Sequence, residues 1–442
     1  MRNIGVLIVL SFCGATQSGA QSITGIPAVD SAAVARDAYA LGAKAFGAHD
    51  LRAAHDALRH AATAWPTQHA YLWGRTFTAA KLLDTAEVLA GLQSLVDVGL
   101  GHSVGNDTTF RAFRDVSGFR TLVSRLDANI APLARSHVVG RLADSTFWPE
   151  GVDYDPQTGN YYIASIRHRT IAELHPDGTS RELLPRHLPT LGGIMGVRVD
   201  AKRRVLWATM AGGPQMEGFK AADTTLAALL KIRIADGAIE RRWNVPITSK
   251  SHVLGDLAVG ANGDVFMTDS NEPVLFWLRS SADTLENITN PLFRSLQGMA
   301  PTPDGRFLYV ADYSHGLLRV DLRTRSVLRL SDAPGSTALG CDGILLDANN
   351  AIVAIQNGVS PARVMRYVLH RREQRIVRAE VLDRNTAIAD EPTIATFAKG
   401  MVVYVANSQW EKHDDSGARN IRMPLTSPVL LGVPLRTSPV RK

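Results

Sequence analysis

Acidic and amide side chains recur at the start of five of six short apolar segments in the second half of the chain. The starting residues are Glu150, Met195, Asp256 after Gly255, Gln297, Asp342 and Glu391. A polar side chain also ends the second apolar run of each segment: Ser165, Thr209, Asp269, Asp312, Gln356 with Asn357, and Asn407. Carboxylate and amide oxygens are the ligands that a hard divalent cation prefers, and a carboxylate also acts as a general base. These residues are therefore the candidates for metal binding and acid–base chemistry.

The segments that carry these residues are copies of one unit. Each copy has a polar or small start, an apolar strand, a turn, a second apolar strand and a polar end, with turns such as HPDG, GANGD and TPDG. The starts are spaced by 42 to 60 residues. This repeat predicts a mainly β fold, a six-bladed β-propeller over residues 136–442.

Propeller geometry predicts where the polar residues lie. The strands of a blade run antiparallel from the axis outward, so the start of the first strand and the end of the second strand share one face. The starting residues then form an inner ring around the mouth of the channel. Up to four carboxylates in this ring would repel one another unless protons or a cation compensated them. The ring therefore favours Ca²⁺ or another divalent cation; alternatively, its members only accept backbone N–H bonds between blades.

The starts resemble those of the senescence marker protein and gluconolactonase family, which are six-bladed propellers with a divalent ion, commonly calcium, on the axis. The resemblance implies that Glu150 in an E-G start and Asp342 in a D-G start hold the metal. Gln297, in LQGM, stands where the family has a metal-binding Asn. Gly255 replaces the family's substrate-binding Asn, while Asp256 keeps the acid.

This resemblance implies hydrolysis of a small lactone or ester by a metal-activated water. Asp256 is the predicted base, Asp342 is the second candidate, and His252 is a predicted substrate contact three residues before Gly255. The remaining predicted substrate contacts are the strand-end residues Asp269, Asp312, Asn357 and Asn407. The alternative is a non-catalytic scaffold that uses the propeller and the preceding helices as interaction surfaces.

The longest interval between starts contains an insertion at residues 211–229, and residues 221–230 have helix-forming composition. Because the insertion follows a second strand, it is predicted to form a lid over the mouth, with Met216 and Phe219 contacting an apolar substrate. Trp148 and Trp410 flank the same mouth. The alternative is a surface insertion with no functional contact.

Residues 21–135 have apolar residues at helical spacing and abundant alanine. Part of this region resembles a tetratricopeptide repeat, at Leu41, Gly42, Ala54, Ala61 and Pro66. The resemblance implies a surface for a protein partner. The alternative is an alanine-rich helical hairpin packed against the propeller.

The segment GHSVG at 101–105 matches the G-x-S-x-G turn of serine hydrolases. That turn needs a preceding strand and a parallel sheet, whereas the residues before it here have a helical pattern. A loop between helices is therefore the prediction for Ser103.

The N-terminal residues 1–20 have the layout of a signal peptide, with Ser18 and Ala20 before a cleavage site at Gln21. A periplasmic or secreted location is therefore predicted. Bulky Phe12 beside Cys13 disfavours a lipoprotein signal. After cleavage only Cys341 would remain, which excludes an intramolecular disulfide.

The composition excludes two function classes. The formal net charge of +6 is scattered, without a dense basic run, which disfavours nucleic-acid binding. Beyond the N-terminal segment, no apolar stretch reaches the length of about 20 residues that a membrane-spanning helix requires.

Overall fold

The computed structural model describes residues 31–248, 251–370 and 375–435. The predicted signal peptide, residues 1–20, lies outside the described residues. The helices come first in the chain: α1 (Ser31–Gly47), α2 (Leu51–Ala64), α3 (His69–Lys81), α4 (Thr85–Asp97) and α5 (Ser117–Ile130). Short 3-10 helices occupy Thr108–Phe113, Ala221–Thr225 and Trp410–Lys412. No helix in these ranges has the length and apolar character needed to cross a membrane.

Strands follow the helices from residue 137 onward. They are β1 (His137–Arg141), β2 (Pro149–Tyr154), β3 (Tyr161–Ser165), β4 (Thr170–Leu174), β5 (Ser180–Glu182), β6 (Gly193–Asp200), β7 (Val205–Ala211), β8 (Ala227–Arg233), β9 (Ile239–Asn244), β10 (Leu257–Val259), β11 (Val265–Asp269), β12 (Val274–Leu278), β13 (Leu285–Ile288), β14 (Leu296–Pro301), β15 (Phe307–Asp312), β16 (Gly316–Asp321), β17 (Val327–Arg329), β18 (Cys341–Leu346), β19 (Ala351–Gln356), β20 (Arg363–Leu369), β21 (Ile376–Arg384), β22 (Ala395–Ala398), β23 (Met401–Val405) and β24 (Val429–Pro434).

These strands form six four-stranded antiparallel sheets, which confirms the predicted six-bladed propeller. Blades 1 to 5 each use four consecutive strands, beginning with β2, β6, β10, β14 and β18. Blade 6 has the order β1-β24-β23-β22, so a strand from before blade 1 becomes its outermost strand. This pairing, with His137 opposite Gly432, ties the two ends of the propeller together.

Core packing lies between neighbouring blades. Tyr162 of blade 1 and Leu206 of blade 2 belong to one buried cluster, and Tyr309 of blade 4 and Ile352 of blade 5 belong to another. The inner strands β3, β7 and β15 are buried along their whole length, while the outermost strand β5 is exposed. Burying a large apolar side chain contributes about 1.5–3 kcal/mol, so these layers hold the blades in place.

The first strands crowd the axis, and the sequence accommodates this with a bulge and a glycine. In blades 1, 2, 4 and 5 the strand register shifts at the inner-ring residue and the glycine after it. A Cβ added at Gly298 would lie 2.7 Å from the carbonyl oxygen of Asp342 in the next blade. At Gly343 it would lie 2.9 Å from Cα of Ile394. A bulge re-aims the adjacent side chain, and here it presents the ring residue at the mouth.

The insertion in blade 2 is shorter than predicted. Residues Ala227–Arg233 form β8, the third strand of the blade, so only 212–226 connect β7 to it. The prediction of helix-forming sequence up to residue 230 is therefore wrong beyond the single-turn helix Ala221–Thr225. A short run of alanine and leucine fits a buried strand as well as a helix, and pairing with β7 decides between them.

The helices stack in chain order, each against the next. Between α1 and α2 the crossing is close, since a Cβ added at Gly42 would lie 2.7 Å from Cγ of Leu58. Leu41, which the repeat resemblance singled out, is 64% exposed. The tetratricopeptide assignment stays a prediction. Ser103 is exposed in the loop between α4 and the 3-10 helix at Thr108–Phe113, where a helix connection was predicted.

The helical segment, residues 31–130, packs on the mouth face, the face that carries the first-strand starts and the second-strand ends. Trp65 stacks on His315 of the β15–β16 connection, with ring centroids 5.5 Å apart, and Arg36 bonds the same imidazole at 2.9 Å. Arg363 of blade 5 donates to the Gly99 carbonyl at 2.7 Å. The helices therefore cover the mouth face over blades 4 and 5.

Candidate metal and substrate site at the propeller mouth

Four carboxylates of the inner ring have raised pKa values, with burial as the largest cause in each, and the charge of Arg198 opposes the rise in the pKa of Asp256. Burial, followed by the charges of Asp256 and Glu391, raises the pKa of Asp342 to about 7. Burial raises the pKa of Asp256 to about 6 and that of Glu391 to about 7. The pKa of Glu150 is raised well above its usual value by burial and then by the Asp342 charge. The ring is therefore a buried acidic cluster in which ionisation is unfavourable.

Neutral donors satisfy only part of this cluster. Trp410 Nε1 donates to Glu150 Oε2 at 2.8 Å, and Asn357 Nδ2 donates to Asp342 Oδ2 at 2.8 Å. Gln297 Nε2 has a weak bond to Ser295 Oγ at 3.3 Å. The buried Oδ1 of Asn357 has no partner among the described residues, which leaves an amide oxygen beside Asp342 free to accept.

The donor set fits a hard divalent cation by its chemistry. Every candidate ligand in the ring is a carboxylate or amide oxygen. Ca²⁺ prefers such oxygen ligands, whereas imidazole and thiolate ligands suit Zn²⁺. The orphaned Asn357 oxygen lies next to the predicted ligand Asp342. The ring is wide: within the described ranges, no three of its carboxylates bring oxygens within 4.8 Å of one another. A bound ion would therefore take some of its ligands from water, as Ca²⁺ commonly does.

An apolar wall completes the mouth on the side of blades 1 and 2. Trp148 and Met195 are buried together, and Trp410 packs edge-on against Trp148 with ring centroids 5.2 Å apart. His413 stacks on the other side of Trp148 at 3.9 Å. Trp148 has φ of 47°, a left-handed conformation that costs a bulky residue about 1–3 kcal/mol and is concentrated at functional sites. The aromatic cluster therefore adjoins the acidic ring, and Trp410 contacts Glu150 directly.

The side chain of the strand-end residue Asp269 accepts hydrogen bonds that stabilise the fold. It accepts backbone N–H bonds from Val253, Asn271 and Glu272 at 3.0–3.2 Å. Its other oxygen lies 2.6 Å from His252 Nδ1, and His252 Nε2 lies 3.0 Å from the Pro246 carbonyl oxygen. Both side chains are buried and anchor the connection into blade 3, and their role as substrate contacts stays a prediction.

The side chains of Asp312 and Asn407 are likewise hydrogen-bonded to neighbouring loops of the fold. Asp312 accepts four backbone N–H bonds, from Arg294, Ser295, Ser314 and His315. The Asn407 side chain bonds Thr426, Ser427 and Val429, the residues that lead into β24. Among the strand-end residues predicted to bind substrate, Asn357 is the one whose side chain is seen to hydrogen-bond an inner-ring side chain within the described residues.

The insertion 212–226 lies at the rim of the mouth. Met216 is buried and its sulfur accepts from Gly193 N at 2.9 Å, immediately before the ring position at Met195. Phe219 is half-buried. Gly417, from the 406–428 connection between β23 and β24, contacts the Pro214 carbonyl. Met216 is therefore an anchor of the insertion, and its role in binding substrate stays a prediction.

Sequence reasoning missed two mouth residues. Burial and then the charges of Asp342 and Glu391 raise the pKa of Tyr313, which places its phenol beside the acidic ring. Thr393 donates to the Glu150 carbonyl at 3.1 Å and so closes the ring between blades 6 and 1. The sequence signal for Tyr313 was its position directly after the strand-end residue Asp312. The sequence had no signal for Thr393, because the start of its blade lacks the glycine that marks the other starts.

Comparisons with known proteins found similar solved structures at low identity. No protein-family model matches the chain, and no curated protein matches it. A gluconolactonase from Xanthomonas campestris is similar at 15% identity, over 70% of this chain and 93% of that chain, with a TM-score of 0.46. A regucalcin from Agrobacterium tumefaciens, described as calcium-binding, is similar at 15% identity over 69% and 98%, with a TM-score of 0.45.

A virginiamycin B lyase from Staphylococcus aureus is also similar, at 14% identity over 61% of this chain and 80% of that chain, with a TM-score of 0.43. A fold of this type does not determine the reaction, so the function must be argued from the site itself.

Proposed function

We propose that the chain is a metal-dependent hydrolase-like propeller that binds Ca²⁺ or a similar divalent cation at the inner ring and acts on a small lactone or ester. The carrying observation is the buried acidic cluster of four carboxylates with raised pKa values. Such a cluster costs free energy in the folded protein unless a ligand compensates it. Proteins retain costly arrangements of charge mainly at functional sites.

Glu150, Gln297 and Asp342 would hold the cation, with the free Asn357 oxygen beside them. A bound divalent cation supplies Lewis acidity, which polarises a carbonyl and lowers the pKa of water. Asp256 has the role of proton acceptor, because a carboxylate with a pKa of about 6 is mostly ionised at pH 7.5 and is a stronger base than an ordinary one.

The aromatic cluster of the mouth gives the substrate its second contact. Partly exposed Trp410 lies directly beside the acids, because its Nε1 donates to Glu150 Oε2 at 2.8 Å, and buried Trp148 packs behind it. Since Asp256 is 2% and Asp342 8% exposed, the reaction would take place out of bulk water. That combination favours a small substrate with one polar, hydrolysable carbonyl and an apolar remainder.

The test is a screen of lactones and aryl esters with Ca²⁺ and with a chelator. We expect calcium-dependent turnover, and we expect Asp256→Asn to lower kcat about 100-fold or more while calcium still binds. Asp283→Asn, an exposed carboxylate of the same blade, is the matched control and should leave kcat unchanged. Equal turnover by Asp256→Asn and the wild type would remove Asp256 from the mechanism.

A scaffold function is the second candidate, favoured by exposed apolar side chains on the helical segment. Leu41 is 64% and Leu83 67% exposed. Absence of a stoichiometric divalent ion in the purified protein, together with no hydrolysis, would favour a protein partner at this surface. Export, with cleavage before Gln21, is part of the same proposal, and N-terminal sequencing of the mature protein tests it.

A further inference from the structure

A second cluster with metal-ligand character lies at the rim of the mouth, away from the inner ring. Within the described ranges, it is the one group of three or more His, Cys, Asp and Glu residues with ligand atoms all within 4.8 Å of one another. Its members are His168 after β3, His187 between β5 and β6, and Glu217 in the insertion 212–226. Three separate connections therefore converge on one point.

The distances match those of a tetrahedral metal centre. His168 Nδ1 lies 3.3 Å from Glu217 Oε2, and His187 Nε2 lies 3.6 Å from the same oxygen. Two ligands bound to zinc at about 2.0–2.1 Å in tetrahedral geometry are about 3.3 Å apart. These two distances fit ligands around one ion, and they also fit ion pairs between the same groups.

The buried member has a nitrogen without a partner. The His168 side chain is 4% exposed, and its Nδ1 faces the Glu217 carboxylate without a hydrogen bond of normal geometry. A buried polar atom left in this way costs about 1–3 kcal/mol, so it calls for an explanation. An ion at the point where the three side chains converge provides one.

The opposite nitrogen of His168 is held as metal-binding histidines usually are. His168 Nε2 lies 3.1 Å from Thr146 Oγ1 and 3.3 Å from Asp144 Oδ2. Arg186 fixes that carboxylate with a bond of 2.8 Å. A carboxylate behind the ring orients the imidazole and raises its basicity toward a metal. Asp144 is thus a positioning residue.

Glu217 is also fixed by its backbone. Its N–H donates to the Arg167 carbonyl at 3.0 Å, and its carbonyl accepts from Arg169 at 2.7 Å. His187 is tied in a similar way, through its N–H to the His168 carbonyl at 3.3 Å. The three connections hold the ligand atoms together before any ion binds, which lowers the cost of binding.

We propose that His168, His187 and Glu217 bind a divalent transition-metal ion of the zinc class, which fixes the insertion 212–226 to blade 1 at the rim of the mouth. Two imidazoles and one carboxylate suit zinc rather than calcium, which takes oxygen ligands. The fourth position is left for water. The His187 and Glu217 side chains are 44% and 48% exposed, so an ion reaches the site from solvent.

The first experiment measures zinc bound per chain after desalting, for the wild type and for His187→Asn and Glu217→Gln. Both changed residues are half exposed, which protects the fold, and Asn tolerates the left-handed backbone of His187, with φ of 58°. His60→Asn, at an exposed histidine of α2, is the matched control. We expect one tightly bound zinc in the wild type and the control, and at least tenfold weaker binding in the two variants.

Two outcomes would overturn the proposal: no zinc retained by the wild type, or equal zinc binding by Glu217→Gln, His187→Asn and the wild type. In either case the cluster is an ion-pair network only. Asp342→Asn must retain zinc, because a zinc lost with that inner-ring residue was bound at the axis.

A second measurement tests the attachment of the insertion. Lys220 is an exposed trypsin site within it. Zinc should slow cleavage after Lys220 in the wild type and leave Glu217→Gln unaffected. Equal cleavage of the wild type with and without zinc would overturn the claim that the ion fixes the insertion.

Discussion

Two rings of polar residues surround the same mouth, and the structure gives them opposite energetic roles. In the outer ring, Asp312 accepts four backbone N–H bonds, and Asp269 accepts three beside His252. In the inner ring, Asp342 accepts one side-chain amide and faces other acids, and its pKa rises to about 7. The same residue type therefore stabilises the fold where donors surround it and strains it where acids do.

The largest effect should come from the outer ring. Asp312→Ala leaves the N–H groups of Arg294, Ser295, Ser314 and His315 without their acceptor. We expect a loss of about 3–5 kcal/mol in the free energy of unfolding, measured by urea denaturation. Asp321→Asn, at the partly exposed end of β16 in the same blade, keeps an oxygen that accepts from the N–H groups of Arg323 and Thr324 and serves as the control. A loss below about 1 kcal/mol would show that the rings do not differ in this way.

The pH dependence of stability tests the inner ring as a whole. Folding raises the pKa values of Asp342 and Glu391 to about 7, so the folded state binds more protons than the unfolded state between about pH 4 and 7. Stability from these groups is therefore present at low pH and is lost as pH rises through about 7. In chelator, we expect the free energy of unfolding to fall by about 2–4 kcal/mol from pH 5 to pH 8.

Calcium should flatten this slope, because a bound cation favours the ionised carboxylates. Urea denaturation at several pH values, with chelator and with Ca²⁺, checks both expectations. A stability that rises with pH in chelator would contradict the acidic-cluster interpretation. Equal melting temperatures with and without calcium at pH 8 would contradict the metal site.

Asp342→Asn should separate the two functions of that residue. In chelator at pH 8 we expect a gain of about 1–3 kcal/mol in the free energy of unfolding, because one buried charge and its repulsion disappear. With saturating calcium we expect the variant to be less stable than the wild type, since it loses a ligand. Asp283→Asn controls for the loss of a carboxylate elsewhere. Destabilisation of similar size in chelator and in calcium would mean that Asp342 belongs with the outer ring.

The smallest effect should follow from Gln297→Asn. The shorter amide keeps an oxygen at the ring, so calcium affinity should stay the same or improve, by less than about tenfold, or about 1.4 kcal/mol. Calorimetric titration measures the change. Complete loss of calcium binding would show that residue 297 is not at the position of a replaceable amide ligand, so its assignment from the family pattern is wrong.

Much of the architecture could be predicted from the sequence. The alternation of short apolar runs with turn signals predicts six blades, and an acid or amide before glycine predicts the inner ring. The bulges observed at Glu150, Gln297 and Asp342 explain why that pattern is visible: only glycine fits where neighbouring first strands meet. The predicted end of the insertion was wrong, because a short run of alanine and leucine has no local signal that separates a strand from a helix.

What the sequence determined is the set of polar groups at the mouth, because strand alternation and turn chemistry are local and carry through into the fold. What only the tertiary structure decided is the number of donors that each group finds. Asp312 and Asp342 are both aspartates at strand ends that face the mouth, yet one lies among backbone N–H groups and the other among acids. The convergence of His168, His187 and Glu217 is likewise invisible in a linear chain, because it depends on how three connections from two blades pack.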